Sequence, residues 1–226
     1  GPGYSGNSGT GGRHGGHGYS ANATLIDVRY GSIMAPTNLG SGGRSDSSAE
    51  GGGAVRLNVD GLCPIDGTID ADGQNGGSYA GGAGGSIYIT AATFGGSGTI
   101  SADGASASGS YGAGAGGRVS VVLSSGTSFG SVTMTAYPAT AGGNGQKQSA
   151  GTVYTKTASQ THGTLKIDNN GIQIWSNGGS QHLCPGTPIP DAESWQLDTL
   201  AALNGGRLLP ALLRENRGVL LWGQVL

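Results

Sequence analysis

Four aspartates, Asp60, Asp66, Asp70 and Asp72, crowd one short stretch and are the side chains of this sequence best suited to chemistry. Asp70 and Asp72 alternate by two, so an extended strand points both to one side. Carboxylates gathered on one face can hold calcium, which takes about six to eight oxygen ligands. Asp103 joins the set by position. Asp72, Asp103 and Asp168 each stand five residues after a glycine (Gly67, Gly98, Gly163) that opens a short alternating run. A residue recurring at one place, twice followed by glycine, is more simply a turn former. Thr135 takes that place after Gly130 and interrupts any metal ladder. The turn reading is therefore preferred, with calcium at Asp70, Asp72 and Asp103 as the alternative and no cofactor expected.

The other candidates are thinner. His14 and His17 lie three apart in GGRHGGHG with no third ligand nearby, which reads as a surface loop. His162 and His182 are isolated. No GxSxG elbow, GxxxxGK[ST] loop or calcium-binding glycine nonapeptide is present, so no catalytic residue is assigned. Tyr88, Tyr154 and Trp175 fall outward by alternation or at strand ends, where exposed rings could stack on sugars. Thr155 and Thr157 make a single TxT pair, and Asn22-Ala23-Thr24 is a glycosylation sequon.

Composition narrows the partners. Eleven Lys and Arg against thirteen Asp and Glu leave a net charge of −2, without the basic cluster that a nucleic-acid partner requires. Glycine supplies 49 of 226 residues but keeps no three-residue period with proline, which excludes collagen. Charge is too sparse for the usual disordered chain. No stretch approaches the roughly 20 apolar residues of a membrane span, and no signal peptide is visible. The chain begins with Gly1, which reads as an excised piece of a longer protein or a tag remnant.

The elements that would position these residues follow from a repeat. Four alternating runs, AVRLNV from Ala54, SIYITAA from Ser86, RVSVVL from Arg118 and TVYTKT from Thr152, start 32, 32 and 34 residues apart. A second run follows each: GTIDA at Gly67, GTISA at Gly98, GSVTM at Gly130 and GTLKI at Gly163. ATLIDV from Ala23 and GSIMA at Gly31 look like a degenerate first copy, and WQLDTLAALNGGRLL from Trp195 like a last one, with Leu197 standing 32 after Leu165. Alternation with β-branched residues makes each run a strand, and glycine at this density argues against helix.

One rung cannot bury its inner face alone, but stacked rungs can. The expected fold is all-β: a right-handed parallel β-solenoid of about 32-residue rungs with glycine-rich connecting sides. Glycine belongs on those sides for close packing and for positive φ. Leu57, Ile89, Val121 and Tyr154 should form one column, Ile69, Ile100, Val132 and Leu165 a second, and Tyr79 should stack on Tyr111. The expected division is a glycine-rich N-terminal loop at 1–22, the solenoid at 23–176, and divergent rungs or a cap at 177–226. In that last part Asp191 to Gly205 reads as two strands broken at Asn204-Gly205, or as a capping helix. Cys63 and Cys184 invite a disulfide, yet four rungs separate them by roughly 19 Å, so a bond needs the C-terminal segment to fold back.

GGAGGSIYITAATFGGSGTISADG from Gly81 to Gly104 resembles the glycine-rich solenoid repeats of very large secreted and cell-surface proteins. GGGAVRLNVDG, GAGAGGRVSVVL, YGSIMAPTNLGSGG and AGTVYTK followed by GTLKIDNNG carry the same look, so the resemblance spans about Gly11 to Gly171. It implies an extracellular, structural or adhesive module that assembles with neighbouring domains or identical copies, and it brings no catalytic set. The alternative is a glycan-binding or polysaccharide-lyase-like β-helix protein. Such lyases hold calcium on carboxylates of one face and use a Lys or Arg as base.

Overall fold

The computed structural model describes residues 10–18, 30–43, 49–76, 80–107, 111–140, 148–172, 186–189, 196–209 and 224–225. Among them there is no helix. In chain order the strands are β1 (Ala54–Pro64), β2 (Thr68–Asp70), β3 (Ser86–Gly95), β4 (Thr99–Ser101), β5 (Arg118–Leu123), β6 (Thr133–Thr135), β7 (Thr152–Lys156) and β8 (Thr164–Asp168). Four short ones follow: β9 (Thr187–Pro188), β10 (Thr199–Leu203), β11 (Leu208–Leu209) and β12 (Gln224–Val225).

The first strands stack in parallel, with Ala54, Ser86, Arg118 and Thr152 in one column. That is a parallel β-solenoid with rungs about 32 residues apart. The second strands form their own parallel sheet in the order β2-β4-β6. Between the two sheets lies a core of Ile87, Ile89, Val119, Val121, Ile100, Met134 and Phe94, closed by Ala71, Ala102 and Ala136. Burial there comes from columns such as Val55–Ile87–Val119–Val153, each large side chain contributing about 1.5–3 kcal/mol.

Two expected columns shift. Val121 stands beside Thr155, and Tyr154 belongs with Tyr88 and Ser120. In the second sheet Ile100 stacks on Met134, not Val132. The third rung takes two more residues between its strands (Arg118 to Thr133 against Ser86 to Thr99). A slip of two preserves the inward face, so Val132 still packs against the core. Gly130 therefore answers to Gly96, and both have positive φ, 66° and 105°.

The fourth rung departs further. Leu165 does not continue the Ile69 column, because β8 turns back and pairs antiparallel with β7, Tyr154 opposite Leu165. Gly163, at φ 86°, sits at this reversal. Strand β10 then runs parallel to β8 with Leu200, not Leu197, beside Leu165. The seven-stranded sheet thus reads β1-β3-β5-β7-β8-β10-β12. A second core of Ile33, Tyr154, Leu165, Ile167, Ile189, Leu197 and Leu200 closes this end. Residues 199–203 are strand, followed by a turn at Asn204 (φ 50°) and Gly205 (φ 84°). Gly31 to Ala35 is not a strand copy. It crosses the outer face of the rungs, where Met34 O accepts from Ser120 Oγ at 2.6 Å. Ala23 to Val28 lies outside the described residues, as do Tyr79, Trp175, His182, Cys184 and 191–195.

The glycine-rich side is a bundle of extended segments. Outbound legs 71–76, 102–107 and 136–140 alternate with return legs 80–85, 111–117 and 148–151, joined by 10–18, 40–43 and 49–53. The amides of leg 80–85 choose their partners by threes. Gly81 and Gly84 donate to Gly112 and Ala115 of one leg, Gly82 and Gly85 to Gln74 and Ala71 of a second, and Ala83 to Ser41 of a third segment. Leg 111–117 repeats the pattern, Gly114 and Gly117 donating to Ala105 and Ala102, Ala115 to Gly12 and Gly116 to Ser149. A strand bonds to two sides; this three-residue periodicity is that of polyproline II. The packing reason for glycine therefore holds here, and no described residue of these legs has positive φ.

A methyl group at Gly114 would lie 1.9 Å from Gly82 O, and at Gly82 1.9 Å from Glu50 O, so backbone itself is in the way. At Gly67 nothing lies within 4 Å. Gly114→Ala is expected to cost about 3 kcal/mol or more and Gly67→Ala less than about 0.5 kcal/mol, read from chemical-denaturation midpoints. Ile100→Asp, which would set a charge between Ile69 and Met134, should abolish the cooperative transition. Equal tolerance of both glycine changes would contradict the bundle.

Candidate functional site

The aspartates meet, but as a ladder of backbone caps. Asp70 Oδ1 accepts from Asp72 N at 2.7 Å, Asp72 Oδ1 from Asp103 N at 2.5 Å, and Asp103 Oδ1 from Tyr137 N at 2.6 Å. Asp66 Oδ1 likewise takes Ser97 N in the next rung, at 3.1 Å. The first three so satisfy amides where the second strand ends and the glycine leg begins, and Asp66 satisfies one at the turn between the first and second strands. Tyr137, not Thr135, holds the third place of the column, again because of the two-residue slip. Asp168 stands elsewhere, accepting from Asn170 N and Asn204 Nδ2.

These bonds engage one oxygen of each carboxylate and give the aspartates a structural role in the backbone. Among the described residues no three His, Cys, Asp or Glu side chains gather into a metal-holding group. Partial burial raises the Asp103 carboxyl to about 6, with the neighbouring Asp72 and Asp70 charges adding to it against the bonds from Tyr137 and Thr135. Asp72 is raised for the same first reason.

Of the three ring candidates, Tyr88 is half-buried on the outer face with the Arg56 guanidinium 5.7 Å from its centroid. Tyr154 is not a platform at all. It is 3% exposed, and its hydroxyl donates to His162 O at 2.5 Å. The β7–β8 reversal lays Leu165 against it, which alternation within one rung cannot reveal. Cys63 is a buried thiol in the core, and burial pushes its pKa up.

The polar centre that sequence reasoning missed is the N-terminal segment. Residues 10–18 are no surface loop: they thread the glycine bundle, Gly12 N donating to Gly81 O and Gly16 N to Gly116 O. His14 is fully buried, stacks on Tyr30 at 4.7 Å, and donates from Nδ1 to Gly84 O at 3.0 Å. Its Nε2 has no hydrogen-bond partner. Arg118, also fully buried, donates to Thr152 Oγ1 at 3.3 Å and Tyr30 O at 3.4 Å and leaves Nε unbonded. Desolvation, then the Arg118 charge, lowers the His14 pKa to about 3. Burial pulls Arg118 down to about 10. A basic pair inside a glycine layer leaves no signature in spacing or alternation.

The chain matches no protein-family model, no curated protein and no solved structure at a significant level.

Two of the perturbed groups, His14 and Asp103, oppose each other in acid. His14 is neutral when folded and binds a proton when unfolded, so its share of stability falls as pH drops from 6.5 toward 3. That share is about 2 kcal/mol between pH 6.5 and 5. Asp103 takes up its proton near pH 6 when folded but near 4 when unfolded, so its share rises as pH drops across that interval. Asp103→Asn should steepen the acid loss of stability relative to wild type, and His14→Gln should flatten or reverse it. Urea titrations at pH 7, 6 and 5 measure both slopes, and unchanged slopes would contradict the assigned environments.

Proposed function

We propose that this chain is a non-enzymatic structural or adhesive module of an extracellular surface, matrix or appendage protein, assembling end to end with neighbouring domains or identical copies. The observation that carries the reading is the first rung, which no strand among the described residues covers. Each inner rung closes on the one below: a Cβ at Gly85 would meet Gly53 O at 1.9 Å, at Gly117 Gly85 O at 2.2 Å, and at Gly98 Gly67 O at 2.1 Å. At Gly53 and Gly67 it would meet nothing within 4 Å. Among the described residues strand β1 pairs with β3 alone, and alternate residues from Ala54 to Asp60 are exposed. A solenoid with one open end offers its own repeat as the interface.

The resemblance to glycine-rich repeats of large secreted proteins supports the location. No helix among the described residues is long and apolar enough to cross a membrane. Against the lyase-like alternative, Asp66, Asp70, Asp72 and Asp103 each cap an amide through Oδ1, Tyr88 has Arg56 over its ring, and Tyr154 is buried.

Antibody raised against the folded chain is expected to label unpermeabilised source cells or their matrix. Labelling only after permeabilisation would overturn the extracellular assignment. Incubated with uronic-acid polymers and calcium, the chain should give no rise in ultraviolet absorbance and no shift in melting temperature; either change would restore the lyase reading.

A further inference from the structure

We propose that β1 is a self-recognition edge, which takes β1 of a second copy of this chain in antiparallel register about a two-fold axis at Asn58. This deepens the reading of the chain as an assembling module and rests on it. The backbone sets which groups are free. Ser86 N donates to Gly53 O, so residue 53 turns its carbonyl toward β3. Alternation then turns Val55, Leu57 and Val59 the same way, and Ala54, Arg56, Asn58 and Asp60 toward the open edge. The side chains divide likewise: Val55, Leu57 and Val59 are half-buried on the core face, while Arg56, Asn58 and Asp60 are exposed on the outer one.

In an antiparallel pair, directly opposed residues share a face, and alternate opposed pairs exchange bonds through edge-facing groups. An axis at Asn58 meets both conditions and opposes Arg56 to Asp60 of the second copy, twice by symmetry. It also sets Leu57 against Val59 on the apolar face, where each copy extends the core of the other. Neighbouring registers lose this. An axis at Arg56 or at Asp60 sets like charges against each other; one at Leu57 opposes Arg56 to Asn58, and one at Val59 opposes Asp60 to Asn58. Opposite charges across a strand pair stabilise it and like charges destabilise it, so β1 selects its own register. The window also ends where regular pairing ends, since the register with β3 breaks between Val59 and Leu62. Such an isologous pair closes on itself and leaves no free β1 edge.

Charge exchange tests the register. By light scattering at high micromolar concentration, wild type is expected at twice the chain mass of 22.1 kDa. Arg56→Asp and Asp60→Arg, each alone, should raise the dissociation constant about tenfold or more, because each confronts like charges twice. An equimolar mixture of the two variants should recover the dimer, since every opposed pair is then complementary. Unaltered melting curves establish that both variants fold. If either does not, Asn58→Cys serves instead: opposed Cα atoms about 5.5 Å apart allow a disulfide, expected as an interchain link mapping to position 58 in both chains. A wild type at single-chain mass, variants that pair as well as wild type, a mixture that stays monomeric, or open-ended growth would each overturn the two-fold pair. These results decide the two-fold pair, and the extracellular location is decided separately by the surface-labelling test.

Discussion

Backbone meets backbone on one side of this molecule with no room for a single carbon between, and the rest of the architecture follows from that. The legs at 71–76, 80–85, 102–107 and 111–117 bond to neighbours on three sides in turn, which draws chains closer than side chains permit. Glycine is therefore required by contact, residue after residue, at positions such as Gly82, Gly114 and Gly151, where a Cβ would meet carbonyl oxygen at 1.7–1.9 Å. In exchange the bundle satisfies its backbone groups internally, which offsets the entropy lost in ordering so much glycine.

The bundle and the solenoid stabilise each other. Each rung leaves its second strand through an aspartate or tyrosine position, passes into an outbound leg, and returns to the next first strand. The Asp72–Asp103–Tyr137 ladder pins that exit, one carboxylate to the amide of the following rung. On the return, Ser86 and Arg118 enter the strands already hydrogen-bonded to the rung below through Gly53 O and Gly85 O. His14 and Arg118 lie where the N-terminal segment crosses the legs, so the bundle also fixes the chain's beginning. The charge of the buried pair is kept low by leaving the imidazole neutral.

Much of the solenoid was legible in the sequence because strand alternation and rung length are both local signals. Ala54, Ser86, Arg118 and Thr152 align as their spacing says. The second-strand markers misled at Gly130, since a two-residue insertion moves Met134 into the Ile100 column and keeps the inward pattern intact. Nothing in GTLKI distinguishes a fourth rung from the reversal that sends β8 against β7; the turn at Gly163 and the apolar partners at Leu197 and Leu200 decide it. The bundle's three-sided bonding was hidden for a different reason. Glycine has no side chain to alternate, so its periodicity resides in bond direction alone. For the same reason GGRHGGHG reads as a loop, although it is among the most deeply packed segments. The aspartate positions could be found, while their engagement with amides depended on register that spacing leaves free by two.

The architecture requires the glycine legs to be bonded as tightly as the strands. Amide hydrogen exchange, resolved by residue with nuclear magnetic resonance, measures that directly. The amides of Gly82, Gly84, Gly114 and Gly116 lie outside every strand, yet they should exchange as slowly as those of Ile87 and Val119 in β3 and β5. Exchange of these glycine amides at the rate of an unprotected chain, with β3 and β5 still protected, would contradict it and reduce the bundle to loops on a bare solenoid.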